Sequence, residues 1–344
     1  MPRTQEHTLT LPPTAAAPDA IVLTDAERAE LVAVATGVLR ATPALIDDPA
    51  WLDTVRDASA ALPRTVLAAL RRFRHDAGPD GVLLLRNMPV VADDPLPETP
   101  TVPGSVERVP AVASTLVTAA MIQLGEVIAY RSEKTGALVQ NVVPVPGSER
   151  SQSNAGSVLL ELHVENAFHD NKPDYVGLLC VREDPTGDAK LCTSSVRRAL
   201  PLLSGHTVSV LAAPRFLTEP PPSFGDLNSV TPAHPVLVGD PRDPNILVDF
   251  AATHPLDDEA KAALGELREA LMRTMSALAL RVGDLAVVDN RLAVHGRTSF
   301  TPRYDGQDRW LHRVYAHLDV SGVGGQVGEA AQAPGEDVAD RGGA

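Results

Sequence analysis

The chain has 344 residues, 44% hydrophobic and 22% charged, and its 30 basic against 44 acidic residues leave a formal charge of −14. Such a length supports one large β-core with added helices or two domains, while the acidic balance excludes a surface that recruits nucleic acid or anionic membrane. No apolar run reaches membrane-spanning length, Met1–His7 is too polar for a secretory signal, and two cysteines, Cys180 and Cys192, fit buried thiols of a cytoplasmic protein rather than a disulfide framework.

Residues 1 to about 20 carry no apolar periodicity and are expected to form a mobile tail, as are the Gly-, Ala- and acid-rich residues 322–344. Residues 21–321 are expected to form a single domain, with a helical part over about 21–130. Thr24-Asp25-Ala26-Glu27 is a capping-box pattern, and Leu31, Val34, Val38 and Leu39 follow at helical spacing. A second helix is predicted from Asp48 to Leu62, stopped by Pro63, and a third from there to Phe73. Gly81–Arg86 reads as a buried strand after a Gly-Pro-Asp-Gly turn, residues 89–103 as a Pro-rich loop, and residues 108–130 as a further helix.

From about Leu138 to residue 320 the pattern changes to short strands. Leu138–Val145, Gly156–His163, Val176–Val181, Val208–Ala212, Asn245–Asp249, Asp284–Asp289 and Trp310–Leu318 all qualify. One helix, Asp257 to about Leu280, interrupts them, with Ala260, Leu264, Leu267, Leu271, Met275 and Leu278 on one stripe. The expected class is α+β, a jelly-roll (double-stranded β-helix) core with N-terminal and inserted helices. Residues 216–235, containing Pro220–Pro222, read either as an active-site lid or as a surface excursion.

His163-Val164-Glu165 is followed 130 residues later by His295 and, 14 residues after that, by Arg309. Two imidazoles and a carboxylate are the donor set of the facial triad that holds non-haem Fe(II) with positions open for O2 and a co-substrate. On a strand, the period of two points His163 and Glu165 to one face. A bare His-x-Glu also arises by chance, since satisfied buried histidines are common. A zinc hydrolase motif needs two histidines four apart on a helix, whereas His169 lies six after His163 and reads as a packing residue. Along Trp310–Leu318, alternation puts Arg309, Leu311, Arg313 and Tyr315 on one face. Buried arginines need anions, supplied either by a keto acid and an amino acid or by internal carboxylates.

Several blocks taken together resemble the clavaminate synthase-like Fe(II)/2-oxoglutarate oxygenases. They are Glu133-Lys134-Thr135-Gly136, Gln152 to Ser157, His163 to His169, Pro173-Asp174-Tyr175, and His295-Gly296-Arg297 through Arg309. The resemblance covers roughly residues 80–320 and is closest to the branch that hydroxylates asparagine, arginine and lysine. It implies that His163, Glu165 and His295 are the iron ligands and that Arg309 binds the distal carboxylate of 2-oxoglutarate. It further implies that Arg313 takes the substrate α-carboxylate, that Glu133 takes the ammonium group, and that Asn154 and Asp249 contact the side chain. The implied chemistry is C3 or C4 hydroxylation of a free L-amino acid with a nitrogen-bearing side chain, in specialised metabolism such as antibiotic biosynthesis.

The sequence departs from that pattern at two points. The threonine that often assists 2-oxoglutarate is replaced near its position by Leu191 or Cys192, with Thr193 just beyond. Where arginine hydroxylases carry a pair of acids, this chain has Leu247 and Asp249, which suits lysine, ornithine or an amide better than a guanidinium; lysine is favoured, with asparagine and arginine retained. Desaturation or cyclisation, a carrier-tethered amino acid, and a non-catalytic jelly-roll binding protein stay open.

Overall fold

Side-chain chemistry starts the first helices where the sequence indicates. Thr24 and Glu27 form the capping box, the Thr24 N–H donating to Glu27 at 2.8 Å and the Glu27 N–H to Thr24 Oγ1 at 3.2 Å. Asp48 accepts the Ala50 N–H at 2.9 Å and opens the next helix at Pro49. The computed structural model describes residues 18–41, 45–92, 95–221 and 232–318.

The helices are α1 (Asp25–Ala41), α2 (Pro49–Ser59), α3 (Arg64–His75), α4 (Val112–Ile122), α5 (Val196–Ala199), α6 (Gly205–Leu211) and α7 (Asp258–Thr274). The first strands are β1 (Ala20–Val22), β2 (Val82–Arg86), β3 (Glu126–Ile128), β4 (Gln140–Val142), β5 (Leu160–His163), β6 (Tyr175–Arg182) and β7 (Leu191–Ser195). They are followed by β8 (Phe216–Thr218), β9 (Leu237–Val238), β10 (Asn245–Ile246), β11 (Thr253–Pro255), β12 (Ser276–Leu278), β13 (Leu285–Asp289), β14 (Ala293–Arg297) and β15 (Trp310–His317).

A seven-stranded sheet runs β1-β2-β13-β6-β15-β3, with β4 also beside β15. Its pairings are antiparallel except β1 with β2. A second, antiparallel sheet runs β12-β7-β14-β5, and two small ribbons pair β8 with β11 and β9 with β10. The expected alternation on β15 holds: Trp310, Val314 and Ala316 join the main core, while Leu311 and Tyr315 face a second cluster with Leu178 and Leu191.

Three expectations are corrected. The helix expected over 108–130 is α4 alone, because Gln123, Leu124 and Gly125 turn back onto Ala120 and Met121 and the following residues pair with β15 as β3. Residues 208–212 are helical rather than extended: Ser204 accepts the Thr207 N–H at 3.0 Å, and Thr207, Val210 and Leu211 are buried at helical spacing. The helix expected to reach Leu280 ends at Thr274, since residues 276–278 find a ladder partner in β7. Ala20 lies in β1; residues 1–17 of the first expected tail, the stretch 322–344 and residues 222–231 of the expected lid lie outside the described residues.

Candidate metal centre

The register of the smaller sheet decides which residues meet. Antiparallel pairing of β5 with β14 sets His295 opposite His163, with ring centroids 4.5 Å apart. β5 stops at His163, so the chain turns before Glu165, and Asn166 adopts a left-handed φ of 53°. Glu165 is fixed by Asn290, in the turn between β13 and β14. Asn290 Oδ1 accepts the Glu165 N–H at 2.7 Å, and its Nδ2 donates to the carbonyls of Glu165 at 3.0 Å and Pro173 at 2.8 Å.

One donor atom from each of His163, Glu165 and His295 lies within 4.8 Å of the others. His163 Nδ1 sits 2.8 Å from the Glu161 carbonyl, which fixes the ring and leaves Nε2 for a ligand. His295 Nε2 is 3.5 Å from Glu165 Oε2. Burial, followed by the neighbouring His163, lowers the pKa of His295. For Glu165 burial acts upward, but the Arg313 guanidinium and the two imidazoles outweigh it and hold the carboxyl well below the usual range. A neutral imidazole and an ionised carboxylate are the forms that bind a metal, so the donor set fits Fe(II). His169 stands apart, edge-on to Tyr130 at 5.1 Å and accepting the Asn171 N–H at 3.0 Å.

The triad opens into a cavity of about 650 Å³ whose walls also include Glu133, Asn154, Asp249, Arg309 and Arg313. All eight residues singled out in the sequence are thus brought to one pocket. Arg309 is 7% exposed and its Nη1 is buried without a partner among the described residues. Burial lowers its pKa to about 10, which still leaves a cation at neutral pH. An unpaired buried guanidinium beside a metal triad fits an incoming carboxylate. Arg313 differs. It donates to Glu165 Oε1 at 3.0 Å, to Gln140 Oε1 through Nε at 3.2 Å, and to Glu133. Of the two sources of anions considered for these arginines, internal carboxylates serve Arg313, and among the described residues none pairs with Arg309.

Glu133 is presented by an unusual turn in which Lys134, Thr135 and Gly136 all have left-handed φ, at 45°, 57° and 73°. Two non-glycine residues in that region are costly; the Lys134 ammonium anchors them by donating to the carbonyls of Ser105, at 3.1 Å, and Asn141. Burial, reinforced by Arg313, lowers the Lys134 pKa to about 7. Asp249 forms an isolated antiparallel bridge with His163, and its Oδ1 accepts the Ala251 N–H at 2.8 Å. Leu247 is packed against the core and brings no second acid. At the expected threonine position Leu191 lines the cavity, Cys192 is in the core, and Thr193 Oγ1 is 3.0 Å from Ser276 Oγ. Pro220 and Pro221 reach the cavity wall from the start of the expected lid.

Sequence reasoning passed over Asn290 and Gln140. Asp289-Asn290 between two apolar strands signals a turn but not that the amide reaches back 125 positions to Glu165. Gln140 lies within a predicted strand, and only the pairing of Gln140 with Arg313 exposes its role.

A ferrous triad, a carboxylate-seeking arginine and an acid-lined cavity define a class of oxygenase, and comparison with known proteins gives the family. Residues 58–315 match the model of the taurine catabolism dioxygenase TauD, TfdA family, and the chain belongs to that family. It is 50% identical to the L-asparagine oxygenase of Streptomyces coelicolor (strain ATCC BAA-471 / A3(2) / M145) over 274 residues, 80% of this chain and 82% of the relative. It is 36% identical to clavaminate synthase 2 of Streptomyces clavuligerus over 300 residues, 86% of this chain and 91% of the relative. Among solved structures, asparagine oxygenase in complex with Fe(II), 2S,3S-3-hydroxyasparagine and succinate superposes with a TM-score of 0.84 at 47% identity, covering 87% of this chain and 94% of that one. The clavaminate synthase-like resemblance drawn from the motifs therefore holds. No helix among the described residues is long and apolar enough to cross a membrane.

Proposed function

We propose that the protein is an Fe(II)/2-oxoglutarate-dependent hydroxylase of a free L-amino acid with a nitrogen-bearing side chain, acting at C3 or C4. The observation that carries this reading is the convergence of a two-His, one-carboxylate cluster and an unpaired buried Arg309 on one cavity. His163, Glu165 and His295 would hold the iron and Arg309 the distal carboxylate of 2-oxoglutarate. Bound Fe(II), with 2-oxoglutarate and O2, supplies an oxidant that replaces a substrate C–H hydrogen by hydroxyl while the keto acid is converted to succinate and CO2.

The protein's own contribution is orientation. Glu133 would receive the substrate ammonium, and Arg313, already turned into the pocket by Glu165 and Gln140, its α-carboxylate. Fixing both groups on the α-carbon leaves the next carbons facing the metal. Asp249, beside His163, accepts hydrogen bonds, and the Asn154 amide can also donate them. One acceptor-only and one donating group complement a side-chain carboxamide, so asparagine becomes the foremost candidate, ahead of lysine and ornithine. The relative of 50% identity is itself an L-asparagine oxygenase. A guanidinium is disfavoured by the missing second acid at Leu247.

The strand order, with sequence-distant strands adjacent in both sheets, supports the double-stranded β-helix reading. The family match, spanning α-helical and β-rich parts alike, supports a single oxygenase domain over 21–321. Two free, buried cysteines agree with a cytoplasmic setting.

The test is a screen of asparagine, lysine, ornithine, arginine and the other standard amino acids for succinate release with Fe(II) and 2-oxoglutarate, with the product mapped by NMR. Asparagine is expected to give the fastest turnover and a C3 alcohol. Turnover confined to apolar amino acids, or no succinate with any of them, would overturn the proposal. Amidation of the α-carboxylate separates a free substrate, which loses its Arg313 anchor and its turnover, from a carrier-tethered one, which has no such carboxylate to lose.

A further inference from the structure

Arg309 is not the sole buried cation at its end of the cavity. Arg297, the last residue of β14, also lines it and is 3% exposed. Its Nη2 donates to the Val158 carbonyl at 2.9 Å and its guanidinium carbon lies 5.0 Å from the centre of the Phe300 ring. Its Nε is buried without a partner among the described residues, as is Arg309 Nη1. No ion pair with a carboxylate is found for either arginine among the described residues. Both guanidinium groups line the same cavity.

Leu191 is the register partner of Arg297 across the β7–β14 ladder, and Val142, Leu160 and Leu178 are among the other apolar residues that line the cavity. The Thr193 hydroxyl is engaged with Ser276. Two like charges in an apolar wall repel and are poorly solvated, a strongly unfavourable arrangement unless an anion joins them. A carboxylate has two oxygens and about four lone-pair directions, enough for two guanidinium groups.

We infer that Arg297 is a second binding residue for the distal carboxylate of the keto-acid co-substrate, its Nε serving one oxygen while Arg309 serves the other. The inference rests on the 2-oxoglutarate reading above. It makes the pocket selective for dicarboxylic keto acids, since a monocarboxylic one leaves both cations unmatched.

The test is anaerobic titration calorimetry of the Mn(II)-loaded protein with 2-oxoglutarate and with 2-oxobutyrate, which lacks the distal carboxylate. Arg297→Gln is expected to weaken 2-oxoglutarate at least tenfold and to leave 2-oxobutyrate within twofold. Arg297→Lys, which keeps the charge but not the Nε donor, should fall between the wild type and Gln, and it carries the test if the Gln variant does not fold. Phe300→Leu removes the stacked ring but leaves the guanidinium, and should keep 2-oxoglutarate within twofold. Equal 2-oxoglutarate affinity in wild type and Arg297→Gln would overturn this inference alone. So would a loss in Phe300→Leu as large as in Arg297→Gln, which would assign the effect to packing. Failure of the wild type to bind 2-oxoglutarate at all would remove the functional reading together with this one.

Discussion

Asn290 is not among the residues that line the cavity, yet its amide holds the backbone of Glu165 through a donor and an acceptor at once. Replacing it by Ala deletes three buried hydrogen bonds, of 2.7, 3.0 and 2.8 Å. At a net of about 1 kcal/mol each, their loss removes about 3 kcal/mol of stability, and more if the Glu165 N–H stays dry and unpaired. Groups that orient metal ligands from behind change metal affinity about 10–100-fold when removed. Urea denaturation of the metal-free protein reads the first quantity and titration with Mn(II) the second. Asn290→Asp keeps an acceptor for the Glu165 N–H but faces the carbonyls of Glu165 and Pro173 with a carboxylate, so it should be no better than Ala. If Asn290→Ala unfolds within about 0.5 kcal/mol of wild type and binds Mn(II) within twofold, the claim that this amide positions the ligand carboxylate is wrong.

Asp249→Ala should lower kcat/KM for the preferred amino acid about 10–100-fold, the worth of one charge-assisted hydrogen bond, and leave 2-oxoglutarate binding unchanged in calorimetry. Gly296→Ala should weaken Mn(II) binding more than tenfold and destabilise by about 1–3 kcal/mol, because its Cβ would stand 2.5 Å from the Leu160 carbonyl oxygen and force β5 off β14. Gly37→Ala, with open space around it in α1, should instead be neutral or stabilising by up to about 1 kcal/mol. Lys134 has a folded pKa of about 7 against the ordinary lysine value of 10.5, so between those values the unfolded chain holds the extra proton and stability rises with pH. Relative to Lys134→Met, the wild type should gain up to about 1.4 kcal/mol per pH unit from pH 7 upward; paired urea curves at pH 7 and 9 that keep a constant difference would refute the buried-ammonium account.

Helices governed by local chemistry were legible in the sequence: the Thr24–Glu27 cap and the Asp48 start both lie in neighbouring side chains, although the second helix ends at Ser59 rather than Leu62. Errors fell where a distant partner decides. Residues 126–128 and 276–278 continue a helical pattern in sequence but become strands because β15 and β7 offer free ladder positions. The triad could be read because chemistry limits its donors, and Arg309 because a buried arginine needs an anion. Asn290 and Gln140 could not, since an ordinary amide acquires a role only once folding selects its partner. Arg313 lies between these cases: its burial followed from alternation, but its pairing with Glu165 required the geometry.

The two larger sheets are closed from the middle by the last described strands. β14 enters between β7 and β5, and β15 between β6 and the short strands β3 and β4. A nascent polypeptide growing at about 5–20 residues per second therefore exposes unzipped strand edges until its last strands are made. The ion-binding corner cannot exist in any fragment ending before His295, so metal uptake has to wait until β14 is made. Such late, long-range closure also predicts slow folding, and it makes the final strands the place where truncation does the most harm.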